Sequence, residues 1–321
     1  MLDTSISSIN QGDEIINLSI EKNWPELFQK NYIFKLASHS TMFGWFQTTF
    51  FKKKFRVIYD ADYKFLCGTN ALYKNMLRPK PNWNINPANV GLVKDTVCIG
   101  VGMGNNSNHV NLYTRWILDQ ALSHDYIHST RDEKTKVFLE QLGFKAVNTG
   151  CPTLWGLTPD KLAVIPQKKA ESVVFTLTYY EPDRDNDLAM IEILKRNYKK
   201  VYFWPQCIRD LEYLQSLSDL KGIEIVAPNL QSYDAVLNTG VDYVGNRLHG
   251  GIFALQHACR AVIIAIDHRA LDMNADYSLP CIERNQIPGK LNDMIHDSWE
   301  TKITGLDFEK IDLWKKQFCF D

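Results

Sequence analysis

Arg247 and His249 stand two residues apart in the segment Gly245-Asn-Arg-Leu-His-Gly-Gly251. A guanidinium is a planar, permanently charged fork that matches phosphate or carboxylate. An imidazole gives or takes a proton near neutral pH. Side by side, the two suit chemistry in which an anion is held while a proton is delivered. Asn246 adds a hydrogen-bonding amide, and Gly250 permits a close backbone approach. The plainer reading is a pair that caps or decorates a turn, and the elements on either side must decide.

Those elements favour a ligand. Tyr243-Val244 is a short apolar strand signal, and the run Ile252-Phe-Ala-Leu-Gln-His-Ala258 is helix-like, so the order is strand, turn, helix start. Free N–H groups at such a start face back toward the turn and suit an anion. Residues 261–266 form a continuous apolar run, as in a buried parallel strand, ending in Asp267, His268 and Arg269. Ligands of α/β sheets sit at that end of the strands, which makes His268 and Arg269 binding candidates. Upstream, a strand at 172–178 ends in Thr178 and leads toward Arg184, a helix covers 188–198, and a strand at 200–204 ends in Pro205-Gln206. A helix at 208–217, a strand at 223–226 and a short helix at 231–237 complete an alternation that signals α/β structure.

The first half repeats the theme. A helical pattern from 14 to 22 has Asp13 as its cap, with Gly12 lining a ligand-facing first turn. A strand at 63–67 runs into Gly68-Thr69-Asn70, where Thr69 and Asn70 either hydrogen-bond a sugar or cap the next helix. Alternate glycines in 96–104, followed by Asn105-Asn-Ser-Asn108, only partly match a dinucleotide fingerprint and read as a tight turn before a helix at 110–122. Ile127-His-Ser-Thr-Arg-Asp132 leads into a helix stopped by Gly143, so Arg131 either meets an anion or pairs with Asp132 or Glu133. Residues 43–51 carry five aromatics ahead of Lys52-Lys-Lys54. They read as a buried helix ending in solvated lysines or as a peripheral membrane contact. Prolines mark 79–87 as loop.

Composition sets outer limits. The 321 residues suit two domains, and 45% hydrophobic with 23% charged residues is ordinary for a globular chain. A net charge of −1 argues against a general nucleic-acid binder. The longest apolar runs fall short of a transmembrane helix and the start lacks a signal-peptide pattern, so a cytoplasmic protein is expected. Seven scattered cysteines without a C-x-x-C pair and eight histidines without ligand spacing lead us to expect no metal.

Several of these strings resemble one family. Asn246-Arg-Leu-His-Gly-Gly-Ile-Phe-Ala-Leu255 with Asp267-His-Arg-Ala270 is similar to the C-terminal signature of the polysaccharide pyruvyl transferases. Asn10-Gln-Gly-Asp13, Gly68-Thr-Asn70, Ser129-Thr-Arg-Asp132 and Gly150-Cys-Pro-Thr-Leu-Trp155 resemble further family positions, in the family's order. The resemblance implies transfer of the pyruvyl group of phosphoenolpyruvate to hydroxyls of a sugar in a cell-surface polysaccharide or its lipid-linked precursor, with ketal formation. It implies an α/β fold of two Rossmann-like domains facing a cleft, GT-B-like. On this basis residues 1–160 form an acceptor-side domain, 170–303 a donor-side domain, and 304–321 a helix packing back on the first. Arg247 and His249 would be catalytic. Arg131, Asn246, Gly250, Gly12, Asp13, Thr69, Asn70, Thr178, Gln206, His268 and Arg269 would bind substrate. No cofactor is expected beyond the donor itself, and the site would work in the cytoplasm or at the inner face of the membrane. The competing readings are a GT-B-type nucleotide-sugar glycosyltransferase and a non-catalytic glycan-binding protein. Acceptor sugar, ketal position and oligomeric state stay open.

Overall fold

The computed structural model describes residues 1–40, 43, 45–77, 82–104 and 107–320. Gly44, the prolines at 79 and 81, and Asn105 and Asn106 of the expected loop and turn lie outside the described residues. The chain divides into two units, one of residues 1–8, 16–155 and 307–321 and the other of 9–15 and 156–306. Residues 9–15, read from sequence with the first domain, therefore count with the second.

The strands of the first unit are β1 (Leu2–Asp3), β2 (Leu36–Ala37), β3 (Lys64–Cys67), β4 (Asn70–Tyr73), β5 (Thr96–Ile99), β6 (Gly102–Gly104), β7 (His128–Thr130) and β8 (Ala146–Asn148). A parallel sheet runs in the order β2-β1-β3-β5, while β4 pairs with β6 and β7 with β8, also in parallel. A break at Gly68 and Thr69, both with positive φ, separates β3 from β4, and Gly100 (φ 57°) separates β5 from β6. A Cβ on Gly100 would run into the Pro152 ring, so this turn can hold only glycine. That contact gives the Gly-Cys-Pro-Thr-Leu-Trp string its structural use. Trp155 also donates to the Thr149 carbonyl (2.9 Å), and burial raises the Cys151 thiol, which makes it a poor nucleophile. The C-terminal helix Phe308–Lys315 belongs to this unit, with Trp314 edge-on to Trp24 at 5.3 Å.

Six parallel strands build the second unit: β9 (Ser172–Thr176), β10 (Lys200–Phe203), β11 (Glu224–Ile225), β12 (Asp242–Gly245), β13 (Ala261–Ala265) and β14 (Cys281–Glu283). Their order is β11-β10-β9-β12-β13-β14, the doubly wound order of a Rossmann fold. β13 is buried at every position, as a strand covered on both faces must be. Two units built on parallel α/β sheets are the class the sequence led us to expect.

Local differences have local causes. The first helix begins at Gln11, so Asp13 lies inside its first turn and Asn10 Oδ1 takes the Gly12 N–H (3.2 Å) instead. No helix follows Thr69 and Asn70; they open β4, which removes the capping alternative. The helix after β9 starts at Arg184, capped by Asp183, rather than at 188, because its polar first turn hides from hydrophobic periodicity. Residues 43–51 do not make a buried helix: Phe46, Phe50 and Phe51 are exposed and the helix Trp45–Phe50 is short.

Candidate active site

In a doubly wound sheet the strand order reverses between its first and fourth strands, here β9 and β12, and their carboxyl ends frame the crevice where ligands bind. Thr176, Leu177 and Thr178 leave β9 there, and Asn246 and Arg247 leave β12. Gly245 is required at this point, since a Cβ would meet the Thr176 hydroxyl and its backbone nitrogen (2.7 Å).

Arg247 is the N-cap of the helix Leu248–Gln256, with an extended backbone and no side-chain cap to offer. Its own main chain is held from behind. The Arg247 N–H reaches Thr176 Oγ1 (3.3 Å), and the Tyr243 hydroxyl donates to the Arg247 carbonyl (2.8 Å). The guanidinium is buried, and its fork is already occupied: Nε donates to Asp210 Oδ2 (3.0 Å) and to the Leu177 carbonyl (3.2 Å), while Nη2 donates to Asp210 Oδ1. This corrects the expectation that the fork grips a donor anion. What Arg247 can still offer is its Nη1 edge, which makes no hydrogen bond to a described residue.

Asp210 was not among the residues singled out from sequence. It is fully buried in the first turn of the helix Ile208–Leu217, where it also receives the N–H groups of Cys207 (2.9 Å) and Tyr179 (3.2 Å). Burial pushes its carboxyl above the ordinary range, against the opposing pull of Arg247. An acid three residues into a helix reads as a local cap, so nothing in the sequence pointed from it to Arg247.

A second aspartate-held arginine lies nearby. Asp267 caps the helix His268–Tyr277 and accepts from Arg269 Nε (2.9 Å) and Nη2. Burial works to raise Asp267, but the hydrogen bonds and charge of Arg269 outweigh it and hold the carboxyl below its usual range. Arg269 also donates to the Tyr180 hydroxyl (2.6 Å). The Tyr180 ring therefore stands between two guanidiniums, 5.0 Å from that of Arg247 and 5.9 Å from that of Arg269. His268 is exposed in the first turn of its helix.

Three buried side chains at the same edge keep polar atoms without a partner: both ends of the Asn246 amide, Thr178 Oγ1 and Gln206 Oε1. Buried polar groups are normally satisfied, and each orphan costs about 1–3 kcal/mol unless a ligand or water completes it. Gln206 is otherwise tied down, its side-chain NH₂ donating to Asn10 Oδ1 (2.8 Å) and its backbone carbonyl accepting from the Gln11 N–H (2.9 Å). Gly12 and Gly250 both press on it: a Cβ at Gly12 would fall 2.6 Å from Gln206 Nε2, and one at Gly250 3.1 Å from Oε1. The two glycines thus make room for Gln206, and any ligand contact they make comes in addition.

His249 is half-buried in the first helical turn. Because the helix begins at Leu248, the two-residue spacing from Arg247 does not put both side chains on one side, as an extended turn would. Arg184 makes no part of this edge and closes the neighbouring helix by donating to the carbonyls of Ser216 (3.1 Å) and Leu217 (3.4 Å).

In the first unit, Arg131 follows β7 and is buried. It donates to Asp132 Oδ2 from Nε (3.2 Å) and Nη2 (3.1 Å), and Asp132 caps the helix Glu133–Gln141. Gly102 lies under the guanidinium, where a Cβ would collide with it. Thr69 and Asn70 are half-buried, and Asn70 Oδ1 has no partner.

The model of the family described as polysaccharide pyruvyl transferase matches residues 10–268. The chain belongs to the polysaccharide pyruvyl transferase family. The match runs from Asn10 through Arg131 and the Arg247 turn to His268, and it assigns to this pyruvyltransferase the transfer of pyruvyl groups onto polysaccharide. None of the curated proteins compared matches the chain. Among solved structures, the UDP-GlcNAc 2-epimerase of Methanocaldococcus jannaschii, in complex with UDP-GlcNAc and UDP, is similar over 97% of this chain and 96% of its own, with 13% identity and a TM-score of 0.49.

Proposed function

We propose that this pyruvyltransferase takes its pyruvyl group from phosphoenolpyruvate, binds that donor at the carboxyl edge of β9 and β12, and leaves the product as a cyclic ketal. The observation that carries the reading is the set of orphaned buried atoms on Asn246, Thr178 and Gln206 beside a helix start without a side-chain cap. An uncapped helix start with the orphaned donors of Asn246 and Thr178 suits a small, fixed anion, and the orphaned Gln206 Oε1 suits a hydroxyl of the acceptor.

Phosphoenolpyruvate carries a phosphate and a carboxylate. One would sit on the first turn of Leu248–Gln256 with Asn246 and Thr178, the other against the free edge of Arg247 and against Arg269. These cations are preorganised by Asp210 and Asp267, so they need not reorient as charge develops. A sugar hydroxyl adds to C2 and gives up its proton, which restores the proton that His249 delivers to C3, and the CH₂ becomes the ketal's methyl group. The C2–O bond to phosphate then breaks, phosphate leaves with the electron pair, and a second hydroxyl closes the ring and gives up its proton. In this scheme His249 supplies the proton to C3, a role that typically contributes about 10²–10⁴-fold.

The test is direct. Incubated with phosphoenolpyruvate and a panel of nitrophenyl and lipid-linked hexosides, the chain should yield a pyruvyl ketal by mass spectrometry together with inorganic phosphate. In parallel, phosphoenolpyruvate should raise the melting temperature and a nucleotide sugar should not. Stabilisation by nucleotide sugars alone, with no ketal, would overturn the proposal in favour of glycosyl transfer.

A further inference from the structure

Residues 45–59 of the first unit carry a surface that the donor site does not use. Phe46, Phe50 and Phe51 are 59%, 62% and 43% exposed, and Val57 and Tyr59 extend the apolar surface along the chain. The rings are clustered, with Phe46 4.9 Å from Phe50 and 5.8 Å from Phe51. Water normally faces scattered apolar residues; grouped aromatic rings mark a contact surface. The same stretch is basic, running Phe51-Lys-Lys-Lys-Phe-Arg56, with Lys53 and Arg56 both exposed. Arg56 is balanced by Asp60 (2.8 Å), so it is the exposed Lys53 that carries positive charge to the surface. Beside it, Tyr32, Phe34, Val57, Ile58, Leu92 and Val93 line a cavity of about 340 Å³.

We infer that this surface docks on an anionic phospholipid bilayer. Aromatic rings settle at the boundary between headgroups and acyl chains, and lysines add attraction to anionic headgroups. The combination of clustered rings with an exposed Lys53 in a run of three lysines distinguishes a lipid surface from a second copy of the chain, whose identical lysines would oppose it. No helix among the described residues is long and apolar enough to cross a membrane, so the contact is peripheral. The inference concerns binding alone and does not rest on the donor or the ketal.

Flotation of the full chain with vesicles tests it. The chain should float with vesicles of phosphatidylcholine and phosphatidylglycerol, and far less with phosphatidylcholine alone or at high salt. Phe46→Ser with Phe50→Ser should weaken partitioning at least about tenfold, and Lys53→Glu by a smaller factor. Leu112→Ser, at an apolar residue of the first unit that is more open to water than any of the three rings, should change nothing. Unchanged flotation in the double phenylalanine variant, with its melting curve intact, would overturn the inference. So would a dimer in light scattering that the same variant dissolves without loss of lipid binding, since the surface would then belong to a second copy.

Discussion

The two arginine turns of this chain look alike in sequence and differ in what holds them. Both follow a parallel strand and precede a helix, and both guanidiniums are buried against an aspartate. Arg131 pairs with its own neighbour, Asp132, which caps the helix directly behind it. Arg247 pairs with Asp210, 37 residues away and on another helix. Around Arg247 lie the orphaned atoms of Asn246, Thr178 and Gln206; beside Arg131 there is the orphaned Oδ1 of Asn70, whose sheet partner Gly102 lies under the guanidinium. A locally closed pair organises a turn. A pair closed by a distant element, with unsatisfied groups beside it, leaves polar atoms for a ligand or water to complete.

Removing the carboxylates should expose this difference most strongly. Asp210→Ala leaves the Arg247 charge buried and unpaired, so it should destabilise the fold by about 3–5 kcal/mol in chemical denaturation. It should also abolish the melting shift that phosphoenolpyruvate gives. Asp132→Ala should carry a similar stability cost yet leave that shift in place. Loss of the shift in Asp132→Ala, with retention in Asp210→Ala, would reverse the roles assigned to the two turns.

Next in size is an acid titration of the first unit. His128 opens β7, the strand that delivers Arg131, and burial lowers its pKa to about 4. Its Nδ1 accepts from the Cys98 N–H (3.2 Å), and its Nε2–H donates to the Ser123 carbonyl (2.9 Å), an arrangement that only the neutral ring can make. Above the unfolded value of about 6.5 the ring is neutral in both states and contributes nothing to the pH dependence. As pH falls from there toward 4, the unfolded chain takes up a proton that the folded one refuses, so roughly 3 kcal/mol of stability is lost. Measured unfolding free energies should show this slope, and His128→Gln should flatten it.

His249→Gln separates chemistry from binding. The amide keeps hydrogen-bonding capacity but supplies no proton, so turnover should fall at least about 10²-fold, near 2.7 kcal/mol of barrier, while the melting shift with phosphoenolpyruvate survives. Retained turnover would move the proton to another residue, with His268 the next to replace.

The smallest effect expected is at the glycine behind the Arg247 turn. Gly245→Ala puts a methyl group against the backbone nitrogen of Thr176 and should cost about 1–3 kcal/mol, read as a lower denaturation midpoint. Gly91→Ala, where a Cβ meets nothing within 4 Å, should be close to neutral.

Much of this was legible beforehand. Apolar runs bounded by turn residues located β9, β12 and β13, because a strand buried on both faces is largely apolar, while β10 alternates, with Val201 and Phe203 buried and Lys200 exposed. The helix Ile208–Leu217 has the ends its periodicity gives. Errors gathered where local signals compete. Asp13 looks like a cap, but Asn10 starts the helix, and the five aromatics of 43–51 look like a core helix although three of the rings face water.

By itself, the sequence determined the α/β class, the elements that carry Arg131 and Arg247, and the family, since these follow from short-range periodicity and contiguous motifs. Tertiary structure alone decided that Asp210 occupies the Arg247 fork, that Tyr180 stands between two guanidiniums, and that Gly12 and Gly250 yield space to Gln206. The reason is distance along the chain. Strand order brings β9, β10 and β12 side by side, so residues from 10 to 269 meet at one edge of a sheet, and no local pattern encodes which buried charge will find which partner.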